Sequence, residues 1–195
     1  MMPPYEHPGA NVAFWTLFGL FALGEFAIRF RSRFNKSGTR AELWSLLVVI
    51  AAVVGAMLAG IVLADRDVGS IVSARWPLFV VGLVLMALGI FIRQWAVFTL
   101  GRFFTADVRV HPGQTVVERG PYRWVRHPSY SGLLIFFVGL GLALSNWLSV
   151  IVLAVLPAAG LLVRIRSEER ALLVALGDDY CRYAATHRRL VPGIW

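Results

Sequence analysis

The chain has 195 residues, 58% of them hydrophobic and 15% charged, where a soluble domain carries about 25% charged residues. Its mean hydropathy is +0.69, and the apolar residues gather into runs of about 20, the length that crosses a bilayer core as a helix. The net charge of +8 lies between and after those runs, where the positive-inside rule places Lys and Arg in a membrane protein, which argues against a nucleic-acid partner.

The first ten residues, Met1 to Ala10, carry no Lys or Arg. No basic n-region or small-residue cleavage site marks a secretory signal, so the first apolar run is expected to remain as a span. Spans are expected over residues 11–28, 43–64, 77–100, 130–144 and 147–163. The last two form a tight hairpin through Ser145-Asn146 and are short for a crossing. The expected fold is all-α: a polytopic integral membrane protein of about five transmembrane helices with a C-terminal cytoplasmic segment.

Lys and Arg set the expected topology. Arg29, Arg31, Arg33, Lys36 and Arg40 follow the first span; Arg102, Arg109, Arg119, Arg123 and Arg126 follow the third. The tail adds Arg164, Arg166, Arg170, Arg182, Arg188 and Arg189. The second connection balances Arg66 and Arg75 with Asp65 and Asp67, and the fourth has no cation. This alternation places the N-terminus outside and the C-terminus in the cytoplasm, as in a bacterial inner-membrane protein.

Two cytoplasmic pieces are long enough to build a site. Residues 101–129 carry turn signals at His111-Pro112-Gly113 and Gly120-Pro121. Residues 164–195 begin as a helix, with Gly177 as its expected C-cap and Asp178-Asp179 as a turn. Cys181 is the only cysteine, so no intrachain disulfide can form. There is no CxxC, P-loop or GxGxxG, and His7, His111 and His187 show no metal-ligand spacing. No metal is expected.

Three groups of polar residues stand out. Arg126-His127-Pro128-Ser129-Tyr130 opens the fourth span, with Pro128 suited to a first helical turn. A helix N-terminus beside an Arg favours a carboxylate; an ordinary membrane edge of Arg, His and belt Tyr is the other reading. Glu168-Glu169 follows the fifth span. Arg164 and Glu168 stand four apart, so a salt-bridged exposed face explains them, and a ligand cation or diol is the alternative. If the last two spans are antiparallel, the two groups face each other. Arg93-Gln94 lies near the end of the third span, either a site or a snorkelling side chain. Glu25 is expected to pair with Arg29.

The strings "RQWAVFTLGRFF", "ERGPYRWVRHPSYSG" and "RIRSEERALLVALGDDYCRYAATHRRLVPGIW" together resemble the isoprenylcysteine carboxyl methyltransferase family, whose wider membrane group includes phospholipid N-methyltransferases. The resemblance covers residues 92–195; Leu176 stands where the family often has Phe. Residues 1–100 form a three-span region without signature, and residues 101–195 a catalytic region with the hairpin and tail.

The resemblance implies S-adenosyl-L-methionine as methyl donor in a cytoplasmic pocket. His127 and Tyr130 would hold its amino-acid end, and Glu168 or Glu169 its ammonium or ribose. Gly120, Tyr122, Tyr180 and Tyr183 would line the adenosine, and Arg126 would orient the acceptor. Arg126, Glu168 and Glu169 are the expected catalytic residues. The acceptor would be a lipophilic small molecule or prenylated substrate, taken from among membrane lipids, with carboxyl O-methylation the closest analogue. N-methylation of a phospholipid or amine would need a proton acceptor. A sterol-type reductase would need a phosphate clamp, which Arg119, Arg123 and Arg126 could form.

Overall fold

The structure, a computed structural model, describes residues 3–33, 40–66, 68–104 and 115–193. Five apolar helices follow one another: α1 (Ala10–Arg33), α2 (Arg40–Ala64), α3 (Arg75–Leu100), α4 (Pro128–Ala143) and α5 (Trp147–Leu176); a short α6 (Asp178–Thr186) follows. Among the described residues there is no β-strand, only isolated bridges at Ser70–Asn146 and Val125–Arg188. The expected all-α membrane fold is therefore present. The expected turn at residues 111–113 lies outside the described residues, as do Lys36, Asp67 and Arg109.

Four helices, α1, α2, α3 and α5, are long and apolar enough to cross a membrane, and α4 is a shorter apolar helix of 16 residues. At 1.5 Å per residue α4 rises about 24 Å, less than the roughly 30 Å hydrocarbon core. The fifth span and the tail helix are one continuous helix of 30 residues, which rises about 45 Å. Its last turns therefore reach past the hydrocarbon and carry Glu168 and Glu169. Pro128 opens α4 as expected. Gly177 ends α5 at φ +53°, and its N–H donates to the Leu173 carbonyl. The expected Asp178-Asp179 turn instead forms the first turn of α6, where acidic residues suit the helix dipole.

Small residues bring α3 and α4 backbone to backbone. A Cβ added at Gly89 would stand 2.6 Å from the Gly132 carbonyl oxygen and from the Phe136 nitrogen. One added at Gly82 would stand 2.6 Å from the Gly139 carbonyl oxygen. Both helices thus repeat the close contact every seven residues, two turns apart. Lipid offers no hydrophobic drive for helices to associate, so this close approach is what packing requires. Phe136, Phe137, Met86 and Phe79 fill the core around it.

The end of the bundle away from Glu169 is held by one amide. Asn146, buried, caps α5 by accepting from the Ser149 N–H at 3.1 Å. Its Nδ2 donates to the Leu63 and Val68 carbonyls, each at 3.0 Å. The α4–α5 turn is thereby tied to the α2–α3 connection. Ser149 Oγ also donates to the Gly60 carbonyl at 2.7 Å.

Consecutive helices α1 and α2 do not form a packed pair: α2 lies along α5, and α1 rests on α3. The polar tie of α1 is Glu25, whose carboxylate takes both Nε and Nη2 of Arg93 on α3, the latter at 2.8 Å. The sequence expectation paired Glu25 with Arg29. The buried Arg93 cation takes it instead, because a charge removed from water needs a partner more than a solvated one does.

A Gly89→Val substitution should lower the melting temperature in detergent micelles, with a cost above the roughly 1–3 kcal/mol of ordinary overpacking because backbone must move. Gly19→Val is the control: an added Cβ there meets nothing within 4 Å, so its melting temperature should stay near that of the parent.

Candidate active site

The antiparallel hairpin brings Arg126-His127 against Glu168-Glu169, as the sequence suggests. The two charged groups do not wait for a ligand; they pair with each other. Arg126 Nη1 lies 3.0 Å from Glu169 Oε1, and His127 Nε2 lies 3.3 Å from the same oxygen. Arg189 completes the shell, with Nη2 donating to Glu169 Oε2 at 2.9 Å and Nε at 3.1 Å. Glu169 is buried on the side of α5 that faces α4, while the Glu168 side chain keeps 30% of its surface. Glu168 Oε2 accepts from the Tyr130 hydroxyl at 2.8 Å, with His127 Nδ1 at 3.8 Å.

The residues just before α4 are bonded to the tail. The N–H groups of Arg126 and His127 donate to the carbonyls of Arg188 and Arg189, at 2.8 and 2.9 Å. Ser131 Oγ donates to the Leu190 carbonyl at 2.6 Å. The tail after α6 therefore lies as a strap across the start of α4. Arg189, which the sequence analysis counted only toward topology, is a full member of the cluster. Its neighbour Arg188 looks the same in sequence, and no local pattern separates them.

Four tyrosines surround the cluster. The Tyr183 hydroxyl donates to the Tyr122 carbonyl at 2.7 Å and joins α6 to the 120–125 turn. The Tyr180 hydroxyl and Arg126 Nε are buried, with no hydrogen-bond partner among the described residues. Burial pushes the phenols of Tyr122, Tyr180 and Tyr183 above their usual range, and the negative charge of Glu169 adds to this at Tyr180. Gly120 stands at φ +59° with the Thr99 side chain 2.7 Å from where a Cβ would sit. This position needs a residue with no side chain. Arg123 lies over the Trp124 ring at 4.3 Å, and Arg126 faces Glu169. These two side chains do not gather into a phosphate clamp.

A cleft of about 110 Å³ opens next to this cluster, between α1 and α2. Its polar end is lined by Glu25, Arg29, Arg93, Tyr130 and Arg164. Apolar walls come from Val49, Ile50 and Val53 on α2, and Leu133 and Leu161 form the floor. Arg93 reaches across the head of α4, its Nη1 donating to Ser129 Oγ at 2.8 Å and to the Ser129 carbonyl at 3.2 Å. Arg164 is buried and donates to Ser45 Oγ on α2 at 2.8 Å. Cleft and cluster meet at the Tyr130–Glu168 hydrogen bond.

Residues 80–174 match the isoprenylcysteine carboxyl methyltransferase (ICMT) family. The match begins within α3 and ends near the end of α5, and so includes Arg93, Arg126, His127, Tyr130, Arg164 and both glutamates. A probable protein-S-isoprenylcysteine O-methyltransferase of Oryza sativa is 39% identical over 111 residues, 56% of this chain and 58% of its own length. A protein-S-isoprenylcysteine O-methyltransferase of Schizosaccharomyces pombe aligns over 92% of this chain and 80% of its own length at 26% identity. The solved eukaryotic intramembrane Ras methyltransferase ICMT superposes on 97% of this chain and 69% of its own, with TM-score 0.66 and 22% identity. The chain resembles this family over residues 80–174, and shares the ICMT membrane fold. It spans less than two thirds of the length of the rice relative.

Glu169→Gln should loosen the strap. Removing one charge from a buried set leaves its partners uncompensated, at about 3–5 kcal/mol. Amide exchange at Arg126 and His127 should rise at least tenfold in hydrogen–deuterium exchange, while exchange in the Gly82–Gly89 stretch of α3 stays unchanged. Stability should also fall as pH climbs past about 10, where unfolded tyrosine ionises. The buried phenols stay neutral there, so the unfolded state binds fewer protons and gains; chemical denaturation at stepped pH reads this.

Proposed function

We propose that this chain is an S-adenosyl-L-methionine-dependent methyltransferase acting at the membrane surface on the carboxylate of a lipophilic, isoprenylcysteine-type acceptor. The observation that carries this is the cleft between α1 and α2. It has apolar walls, carries three guanidiniums against one carboxylate at its polar end, and joins a second polar cluster through Tyr130 and Glu168. An acceptor with a greasy body and an anionic head matches that arrangement. A cationic amine head does not.

The residues present fit the donor. It carries a carboxylate, an ammonium and a ribose diol, and beside Glu169 the Tyr180 hydroxyl and Arg126 Nε are buried without partners among the described residues. Buried polar groups of that kind cost free energy until something bonds to them. When bound, the donor supplies an electrophilic methyl on a sulfonium.

Glu168, half open and with Tyr130 as its close partner, is the acid placed to accept from the donor's ammonium or ribose. His127 and Tyr130 hold the amino-acid end, and Gly120, Tyr122, Tyr180 and Tyr183 shape the adenosine side. Glu169 acts as a positioning residue, fixing Arg126, His127 and the strap. Arg164 and Arg93 line the cleft, and they take over from Arg126 the task of orienting the acceptor carboxylate. That carboxylate is already ionised at neutral pH, so attack needs no general base. The protein supplies alignment and a dry site. The acceptor oxygen bonds to the methyl carbon as the carbon–sulfur bond breaks. Arg and Lys position supports an N-terminus outside and a cytoplasmic C-terminus in a bacterial inner membrane, so the soluble donor arrives from the cytoplasm and the acceptor slides in from lipid.

Titration calorimetry of the purified protein with S-adenosylhomocysteine should show saturable binding. Glu168→Gln should weaken it at least tenfold, about 1.4 kcal/mol. Arg164→Lys, which loses the planar fork, should bind the analogue within threefold of the parent but methylate a prenylcysteine acceptor at least a hundredfold more slowly. Binding of NADPH in place of S-adenosylhomocysteine would overturn the proposal.

A further inference from the structure

The slot between α1 and α2 does not end where the cleft ends. Along α1 the cleft runs from Arg29 to Phe21, and along α2 from Leu46 to Val53. One turn further a second pocket of about 340 Å³ begins, lined by Phe18 on α1 and Met57 on α2. Leu140, Leu144 and Leu153 of α4 and α5 form its floor, and Tyr5 and Asp65 close its far end. The two spaces lie in line between the same pair of helices and over the same floor helices. Arg29 to Phe21 is about 12 Å along α1, and Arg29 to Phe14 about 22 Å.

Phe21 stands at the boundary. Its ring is buried, stacked on Phe136 with centroids 3.8 Å apart and planes 11° apart, and set edge-on to Phe137 at 5.8 Å. Phe136 and Phe137 are themselves fully buried. A ring held on two sides by a close-packed core does not swing away cheaply. The three guanidiniums at the polar end fix which way an anionic amphiphile lies: head at Arg29, Arg93 and Arg164, chain pointing toward Phe21. On α1, Phe21 is the cleft residue nearest the second pocket, whose lining on that helix resumes at Phe18.

We propose that Phe21 is the chain-length stop of the acceptor cleft, and that the pocket beyond it, between Phe18 and Met57, is a latent extension able to take a longer hydrocarbon chain. This rests on the proposed methyltransferase function. Phe21 lies in α1, outside the family-matched residues 80–174.

The test measures kcat/KM of the 195-residue protein in lipid nanodiscs for N-acetyl-S-geranyl, N-acetyl-S-farnesyl and N-acetyl-S-geranylgeranyl cysteine, acceptors that differ only in isoprene units. In the parent, kcat/KM should stop rising once the chain reaches Phe21. Phe21→Ala should raise the ratio for the longest acceptor over its next shorter neighbour at least fivefold. Phe21→Leu, milder to the fold, should shift the ratio the same way by a smaller factor. Met57→Trp added to Phe21→Ala should fill the extension and return the ratio toward the parent value. Folding of each variant is read from S-adenosylhomocysteine binding, which none of these changes touches. If the parent methylates the series and both Phe21 variants leave the ratios within twofold of it, the chain stop is wrong while the function stands. If the parent binds S-adenosylhomocysteine but methylates none of the series, the proposed function falls and takes the chain stop with it.

Discussion

Glu169 is the charge around which the working end of the molecule is built. A carboxylate this buried is costly unless paired and hydrogen-bonded, and two guanidiniums and an imidazole from two places in the chain supply that. Arg126 and His127 come from the start of α4, and Arg189 from the tail. Their convergence folds the tail back over α4, and it sets the 120–125 turn beneath Tyr183. The neighbouring Glu168 is left by this geometry at the edge of the cluster, part-exposed and in contact with Tyr130. Two adjacent acids thus end in different environments, one saturated by cations and one open to a ligand.

The other constraint acts through sterics. Because Gly82, Gly89, Gly132 and Gly139 let α3 and α4 touch along their backbones, Arg93 lies close enough to bond Ser129 at the head of α4. Arg93 in turn holds Glu25, the polar anchor of α1. The same arrangement that binds α3 to α4, and α2 to α5, leaves α1 and α2 apart. A slot open toward lipid is the consequence, with its polar end against the cluster. The proposed donor and acceptor live in different phases and would meet only at such a junction, which accounts for Arg126–Tyr130 standing there.

The likeness to the ICMT family spans α3, α4 and α5, yet the site draws on more than these. Glu25 and Phe21 come from α1, Ser45 from α2, and Arg189 from the strap. The matched core carries the charged groups. The first two helices shape the walls of the cleft, where acceptors of one reaction would differ from one another.

Much of this was legible in the chain. Apolar runs gave the helices and their order; Pro128 and Gly177 marked a start and a stop; the short Ser145-Asn146 link made the last two spans antiparallel, which brings Arg126-His127 to Glu168-Glu169. These are local or nearest-neighbour properties, set by hydropathy, backbone freedom and loop length. The tertiary structure decided the rest. It separated Glu168 from Glu169, chose Arg189 over Arg188, gave Glu25 to Arg93 rather than to Arg29 one turn away, and joined the tail helix to α5. Sequence spacing ranks partners by distance along the chain, whereas a buried charge takes the partner that packing delivers. Only the folded bundle fixes which cation that is, and which pair of helices is left apart.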